Sequence, residues 1–170
     1  PGGTTNFLRA DGSFAAPAGG TDPYTYVKVT SDFTTTSATA VDITGLTTGL
    51  PTASADYEFE ACLWLRTATA TVNARAGLAW PTGTTDGVAQ IIESQAATGT
   101  PLFAHGNPNA ALLVAVGGLP NTTQSWPAVI RGSFRMGVSP GSSLRCQVAS
   151  ETAGTTVTVK AGSWLKYRTI

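Results

Sequence analysis

Glu58 and Glu60 stand two positions apart in Asp56-Tyr57-Glu58-Phe59-Glu60. A pair of carboxyl groups is the minimum equipment for acid–base hydrolysis of a glycoside. On a strand the two share a face, about 6.6 Å apart along it from the ~3.3 Å rise per residue. Retaining glycosidases hold their carboxyls at ~5–5.5 Å, so the pair is close to that chemistry without matching it. The plainer reading is a solvated or interface face paired with Arg66 and lysines. Asp86 and Glu93 are isolated. The single histidine, His105, lies in Ala104-His105-Gly106-Asn107-Pro108-Asn109, read as an exposed loop. A Ser-His-Asp triad would have to use it, and no Gly-x-Ser-x-Gly elbow accompanies it. One histidine without Asp, Glu or Cys at ligand spacing makes no metal site. The expectation is a chain without catalytic residues, metal or cofactor.

Binding chemistry is better supplied. A saccharide is held by an aromatic platform against its apolar face, with amides and carboxylates meeting its hydroxyls. Trp80-Pro81 and Trp126-Pro127 place two indoles at strand–loop junctions, and His105, Asn107 and Asn109 add polar groups in a loop. These five residues form the expected receptor or glycan site. The competing reading packs Trp80 and Trp126 into the core. Trp64 and Trp164 sit inside strands.

The elements that must position these residues are strands. In Asp56–Arg66, Tyr57, Phe59, Ala61, Leu63 and Leu65 alternate with Glu58, Glu60, Cys62, Trp64 and Arg66. That period of two gives a half-buried strand; a helix would scatter the same residues around its circumference. Comparable runs are Tyr24–Val29, Thr39–Ile43, Val72–Trp80, Val88–Ser94, Ala111–Val116, Val129–Met136, Leu144–Ala149, Thr155–Lys160 and Ser163–Ile170. Turn clusters separate them at 81–87, 106–109, 117–121 and 139–141. Nine or ten strands and no convincing helix predict an all-β antiparallel sandwich, of jelly-roll type.

Composition agrees. Of 170 residues, 42% are apolar and 12% charged, and ten basic and ten acidic side chains cancel. The charged share is about half the ~25% of an average domain, which excludes an electrostatic nucleic-acid or anionic-lipid binder. No run approaches the length of a membrane-spanning helix. Glycine and proline number 19 and 10, and threonine 28, favouring strands and tight turns over helices. Twenty-five of the apolar residues are alanine, and segments such as 67–77 alternate alanine with polar residues. Alanine contributes far less than the ~1.5–3 kcal/mol of a fully buried Val, Leu, Ile or Phe. A thin core is therefore expected, remedied by association of subunits. Cys62 and Cys146, far apart and without a nearby histidine, read as free buried thiols, with a single bridge across facing strands as the lesser alternative. The sequon Asn121-Thr122-Thr123 is too short a pattern to carry weight.

Residues 1–22 differ from the rest. They are poor in bulky apolar side chains apart from Phe7, Leu8 and Phe14, and read as a collar or linker that needs a partner; 23–170 form the β-domain. The start, Pro1-Gly2-Gly3-Thr4-Thr5, reads as the interior of a longer polypeptide. Thr4-Thr5-Asn6-Phe7-Leu8-Arg9-Ala10-Asp11-Gly12-Ser13-Phe14-Ala15-Ala16-Pro17 resembles a phrase of bacteriophage tail fibres and related virion proteins, in which F-L-R-A-D-G-T-W is followed by proline. Ser13 and Phe14 stand where that phrase has Thr and Trp. The resemblance covers 14 residues. The stretch Phe33–Leu46 with Asp56–Phe59, and the ending Val159–Arg168, are more weakly similar to the opening and closing of phage β-domains.

The resemblance implies a homotrimeric virion protein, with the phrase forming a collar before a C-terminal domain. Around a threefold axis Phe7, Leu8 and Phe14 could make a shared plug, Arg9 and Asp11 could pair between chains, and Gly12 would permit the turn. The function it implies is the distal, receptor-binding domain of a tail fibre, without enzymatic activity. Its partners would be two further copies, other virion proteins through the N-terminal segment, and a bacterial surface glycan or protein. Nucleic acid and membrane insertion are not expected. The location would be the virion, assembled in the host cytoplasm and exposed on the particle. The alternative is a capsid decoration or head-fibre protein with no receptor.

Overall fold

The computed structural model describes residues 7–8, 14–15, 22–94, 101–106, 108, 112–116 and 123–170. The alternation in β6 (Asp56–Thr67) sets the layers. Tyr57, Phe59, Ala61, Leu63 and Leu65 are buried inward, whereas Glu58 and Glu60 face out and Trp64 is 40% exposed. The remaining strands are β1 (Phe7–Leu8), β2 (Phe14–Ala15), β3 (Thr25–Lys28), β4 (Phe33–Thr35), β5 (Val41–Thr47), β7 (Ala74–Ala79) and β8 (Thr84–Ser94). They continue with β9 (Pro101–Gly106), β10 (Leu112–Val116), β11 (Trp126–Met136), β12 (Arg145–Ser150), β13 (Val157–Val159) and β14 (Trp164–Thr169).

Two antiparallel sheets form, consistent with a β-sandwich. The larger runs β3-β14-β6-β11-β8-β9, with β13 between β4 and β6 at one edge; the smaller runs β10-β7-β12-β5. From β5 to β13 the chain changes sheets at every step except β8 to β9, which are adjacent partners. One core joins the layers. Ile43, Leu46, Leu78, Cys146 and Val148 of the smaller sheet meet Phe59, Leu63, Leu65, Ile91, Ile130 and Leu165 of the larger. Alanine takes five places in that core, at Ala61, Ala74, Ala76, Ala89 and Ala128, and leucine, isoleucine and aromatic side chains fill much of the rest. The interior is better filled than the alanine content suggests.

Two close approaches explain glycines inside strands. A Cβ on Gly132 would overlap the Val88 carbonyl oxygen and lie 2.9 Å from the Phe59 ring, and one on Gly87 would lie 3.2 Å from the Trp80 ring. Each glycine thus lets an aromatic ring sit on backbone.

β13 and β14 act as one interrupted partner of β6. Val157–Val159 pair with Thr67–Leu65 and Trp164–Thr169 with Cys62–Tyr57. Trp64 bridges the break: its N–H donates to Ser163 Oγ at 3.0 Å and its carbonyl accepts from Lys160 N–H at 2.9 Å. Ser163 is fully buried, so the break leaves no backbone group of Trp64 unpaired.

Several sequence expectations are corrected. His105 is not on a loop; it lies on β9, opposite Gln90 of β8, because the apolar run before it continues the β8 hairpin. The turn expected at 81–87 closes earlier, with β8 beginning at Thr84. Residues 68–73, expected as part of an alternating strand, connect β6 to β7 across the layers. The strand expected at Thr39–Ile43 is Val41–Thr47, and Phe33–Thr35 is a strand that the sequence pattern did not single out. Cys62 and Cys146 are both buried and free. Cys146 belongs to the core between the sheets, whereas Cys62 alternates out of it on β6. Burial pushes the Cys146 thiol up to about 12.

Candidate functional site

The outward face of the larger sheet collects the polar chemistry. Successive strands β14, β6, β11 and β8 bring Lys166, Glu60, Arg131 and Gln90 into one cross-strand row. The adjacent row, two residues along, is Arg168, Glu58, Ser133 and Val88. Residues directly opposite on neighbouring strands hold their Cβ atoms about 4.5–5.5 Å apart, so each row is a continuous band of side chains. Tyr26 of β3 extends the first row beyond Lys166. A groove of about 620 Å³ opens over these rows, lined by Tyr24, Glu58, Glu60, Gln90, Arg131, Ser133 and Lys166, with Phe59, Val88, Gly132 and Ile170. That is within the ~300–1,000 Å³ range of small-ligand sites. A smaller hollow of about 230 Å³ adjoins it through Val88, Ser133 and Ile170. Arg135 and Asp56 line that hollow, joined by two hydrogen bonds of 2.7 and 2.8 Å.

The groove is electrostatically ordered. Glu58 accepts a hydrogen bond from the Tyr24 hydroxyl and lies 2.6 Å from Arg168 Nε. The Tyr24 bond and then Arg168 hold the Glu58 carboxyl below its ordinary range. The same bond pushes the Tyr24 phenol up. Lys166 Nζ sits 3.6 Å from Glu60 and lies over the rings of Tyr24 and Trp164 at 5.1 and 5.5 Å. The Arg168 guanidinium lies 4.8 Å from the Tyr24 ring centroid, a distance at which cation and ring quadrupole attract. Arg131 differs. Its one hydrogen bond among the described residues goes to Gln90 Oε1, at 3.4 Å.

This arrangement bears on hydrolysis. A glycosidase acid needs a carboxyl whose pKa is raised so that it stays protonated. Glu58 is shifted the opposite way, and Glu60 is engaged with Lys166. Among the described residues no group of three or more His, Cys, Asp and Glu could hold a metal ion.

Of the five residues expected as a binding site, Trp80 and Trp126 are not brought together. Trp80 packs against Phe59 and Phe134, edge to face at 6.1 and 6.4 Å. Trp126 opens β11 opposite Leu65 and is half-buried against the core. Phe134 is eight residues further along β11, about 26 Å at ~3.3 Å per residue. The two indoles therefore lie toward opposite ends of the sandwich and cannot form one platform. Both indole Nε1 atoms are buried with no acceptor among the described residues. His105 sits by register at the β9 end of the Gln90–Arg131 row. Asn107 and Asn109 lie outside the described residues. Of the collar, Phe7 pairs with Ala15 and Leu8 with Phe14 in a two-stranded antiparallel ladder; Arg9, Asp11 and Gly12 lie outside the described residues.

The groove itself escaped sequence reasoning apart from Glu58 and Glu60. Lys166, Arg131, Gln90 and Tyr24 are far apart in the chain, and only cross-strand register unites them. The signal that existed was the alternation of Arg131, Ser133 and Arg135 against apolar Ile130 and Phe134. No protein-family model matches the chain, and no curated protein matches it.

Proposed function

We propose that this chain is the distal receptor-binding domain of a bacteriophage virion fibre, engaging a bacterial surface saccharide through the outer-sheet groove without enzymatic activity. The groove carries the reading. It offers hydroxyl-accepting carboxylates at Glu58 and Glu60, donors at Arg131, Gln90 and Ser133, and the rings of Tyr24 and Tyr26 at its edge. Saccharide recognition needs that combination. A continuous sheet holds these groups, so little ordering is required on binding. The resemblance of Thr4–Pro17 to virion-fibre collars supplies the particle context.

The strand orders β5-β12-β7-β10 and β6-β11-β8-β9 support a jelly-roll topology: a four-stranded set in each sheet, entered alternately except from β8 to β9, as in that architecture. Homotrimer formation is supported by the collar and by the outer face. Trp64 of that face, outside the groove lining, is an exposed large hydrophobic side chain, and exposed apolar surface of this kind marks interaction sites. Three copies of a weak groove would act together by avidity.

Cryo-electron microscopy of the particle carrying this chain tests the assignment. Trimeric density at the tip of a fibre is the expected result. Density at capsid symmetry axes would overturn it in favour of a decoration protein. Labelled protein should also bind host cells, and soluble host polysaccharide should compete.

A further inference from the structure

Resting on the groove as the receptor site, we infer that its ligand is an acidic saccharide whose carboxylate is seated by Arg131 and Gln90. The two sides of the groove differ in what they can offer. On the β6–β14 side each carboxylate already has a cation: Glu58 has Arg168 and Glu60 has Lys166. On the β11–β8 side, Arg131 has no carboxylate within ion-pair distance among the described residues, although Glu60 is its register neighbour. Its guanidinium keeps further N–H groups for a ligand, in the planar fork that fits two carboxylate oxygens. Gln90 accepts from Arg131 through Oε1, and its Nε2 amide is a donor with no acceptor among the described residues. This side therefore presents donors, and the opposite side presents its carboxylate acceptors beside the cations that hold them.

A sugar ring with a carboxylate at one end and hydroxyls along the other matches both sides at once. A neutral sugar would satisfy the Glu58–Glu60 side and leave Arg131 unpaired. A phosphate dianion would bring twice the negative charge close to Glu60. A singly charged uronic-acid type residue fits best, because its one charge meets Arg131, which has no ion-pair partner among the described residues.

The experiment compares the full chain on an array of bacterial saccharides grouped as carboxylated, neutral and phosphorylated, followed by titration with oligogalacturonate and its methyl ester. The expected result is enrichment on carboxylated saccharides, with the acid bound about tenfold or more tightly than the ester, as charge-assisted hydrogen bonds imply. Arg131→Gln should erase that preference at an unchanged melting temperature, and Arg131→Lys should restore part of it. Equal binding of acid and ester, or enrichment on phosphorylated or neutral saccharides, would overturn the carboxylate assignment and leave the groove as a saccharide site. Absence of binding to every saccharide class would overturn the groove reading itself.

Discussion

Arg168 Nε lies 2.6 Å from Glu58 on the neighbouring strand, and that carboxylate also takes the Tyr24 hydroxyl. These three residues thereby join β14, β6 and the segment leading into β3, and fix one side of the groove. The direct energetic contribution of the Arg168–Glu58 pair is small, since an exposed ion pair is screened by water and must hold two long side chains in one geometry. Its role is geometric: it holds the Glu58 carboxylate in place in the groove lining.

The same pairing makes stability acid-sensitive. Tyr24 and Arg168 depress Glu58 below its ordinary 4.5, Arg135 depresses Asp56 below 3.8, and Lys160 depresses Asp32 likewise. A carboxyl whose folded pKa is depressed contributes stability above its unfolded value and loses it as pH falls through its folded one. Melting temperature should therefore hold from pH 7 to about 5 and decline below about 4.5. Glu58→Gln should flatten part of that decline. Thermal melts across pH 3–7 check this; a profile unchanged by Glu58→Gln would contradict it.

Gly132 should tolerate no side chain. A Cβ at this position would overlap the Val88 carbonyl oxygen and crowd Phe59, so Gly132→Val must separate β11 from β8 or expel the ring. Overpacking of this kind costs about 3 kcal/mol. Denaturant unfolding should register the loss. A neutral substitution would mean that β11 and β8 do not approach as described.

Trp80 should act on stability. Its ring closes over Gly87 and meets Phe59 and Phe134, so Trp80→Ala should cost about 3 kcal/mol, as expected for removing a packed aromatic. Saccharide affinity per folded molecule should not change. Loss of affinity at wild-type stability would return Trp80 to the binding site that its place beside Pro81 first suggested.

These outcomes divide along what a linear pattern encodes. The two faces of β6 were legible because alternation is local: Tyr57, Phe59 and Leu63 buried, Glu58 and Trp64 out. The all-β class followed from threonine, glycine and the turn clusters. His105 was misplaced because Gly106 and Pro108 look like loop punctuation, although pairing with β8 carries the strand through Gly106. The groove was illegible because it is a product of register. Lys166, Glu60, Arg131 and Gln90 become neighbours only once four strands are ordered. Trp80 and Trp126 looked equivalent beside their prolines, and only the length of β11 separates them.

The proposed collar carries its own test. If Phe7, Leu8 and Phe14 contribute to a shared plug, deleting residues 1–17 should shift the assembly from trimer toward monomer in light scattering, with the β-domain still folded. A deletion variant that remains trimeric would place the subunit contacts on the sandwich, where Trp64 is exposed.

Amide chemical-shift mapping with purified host surface polysaccharide tests the binding surface most directly. The groove reading predicts perturbations concentrated on the outward rows of β14, β6, β11 and β8, at Lys166, Glu58, Glu60, Arg131 and Gln90. Perturbations confined to the surroundings of Trp80 or Trp126, or none at saturating polysaccharide, would contradict it.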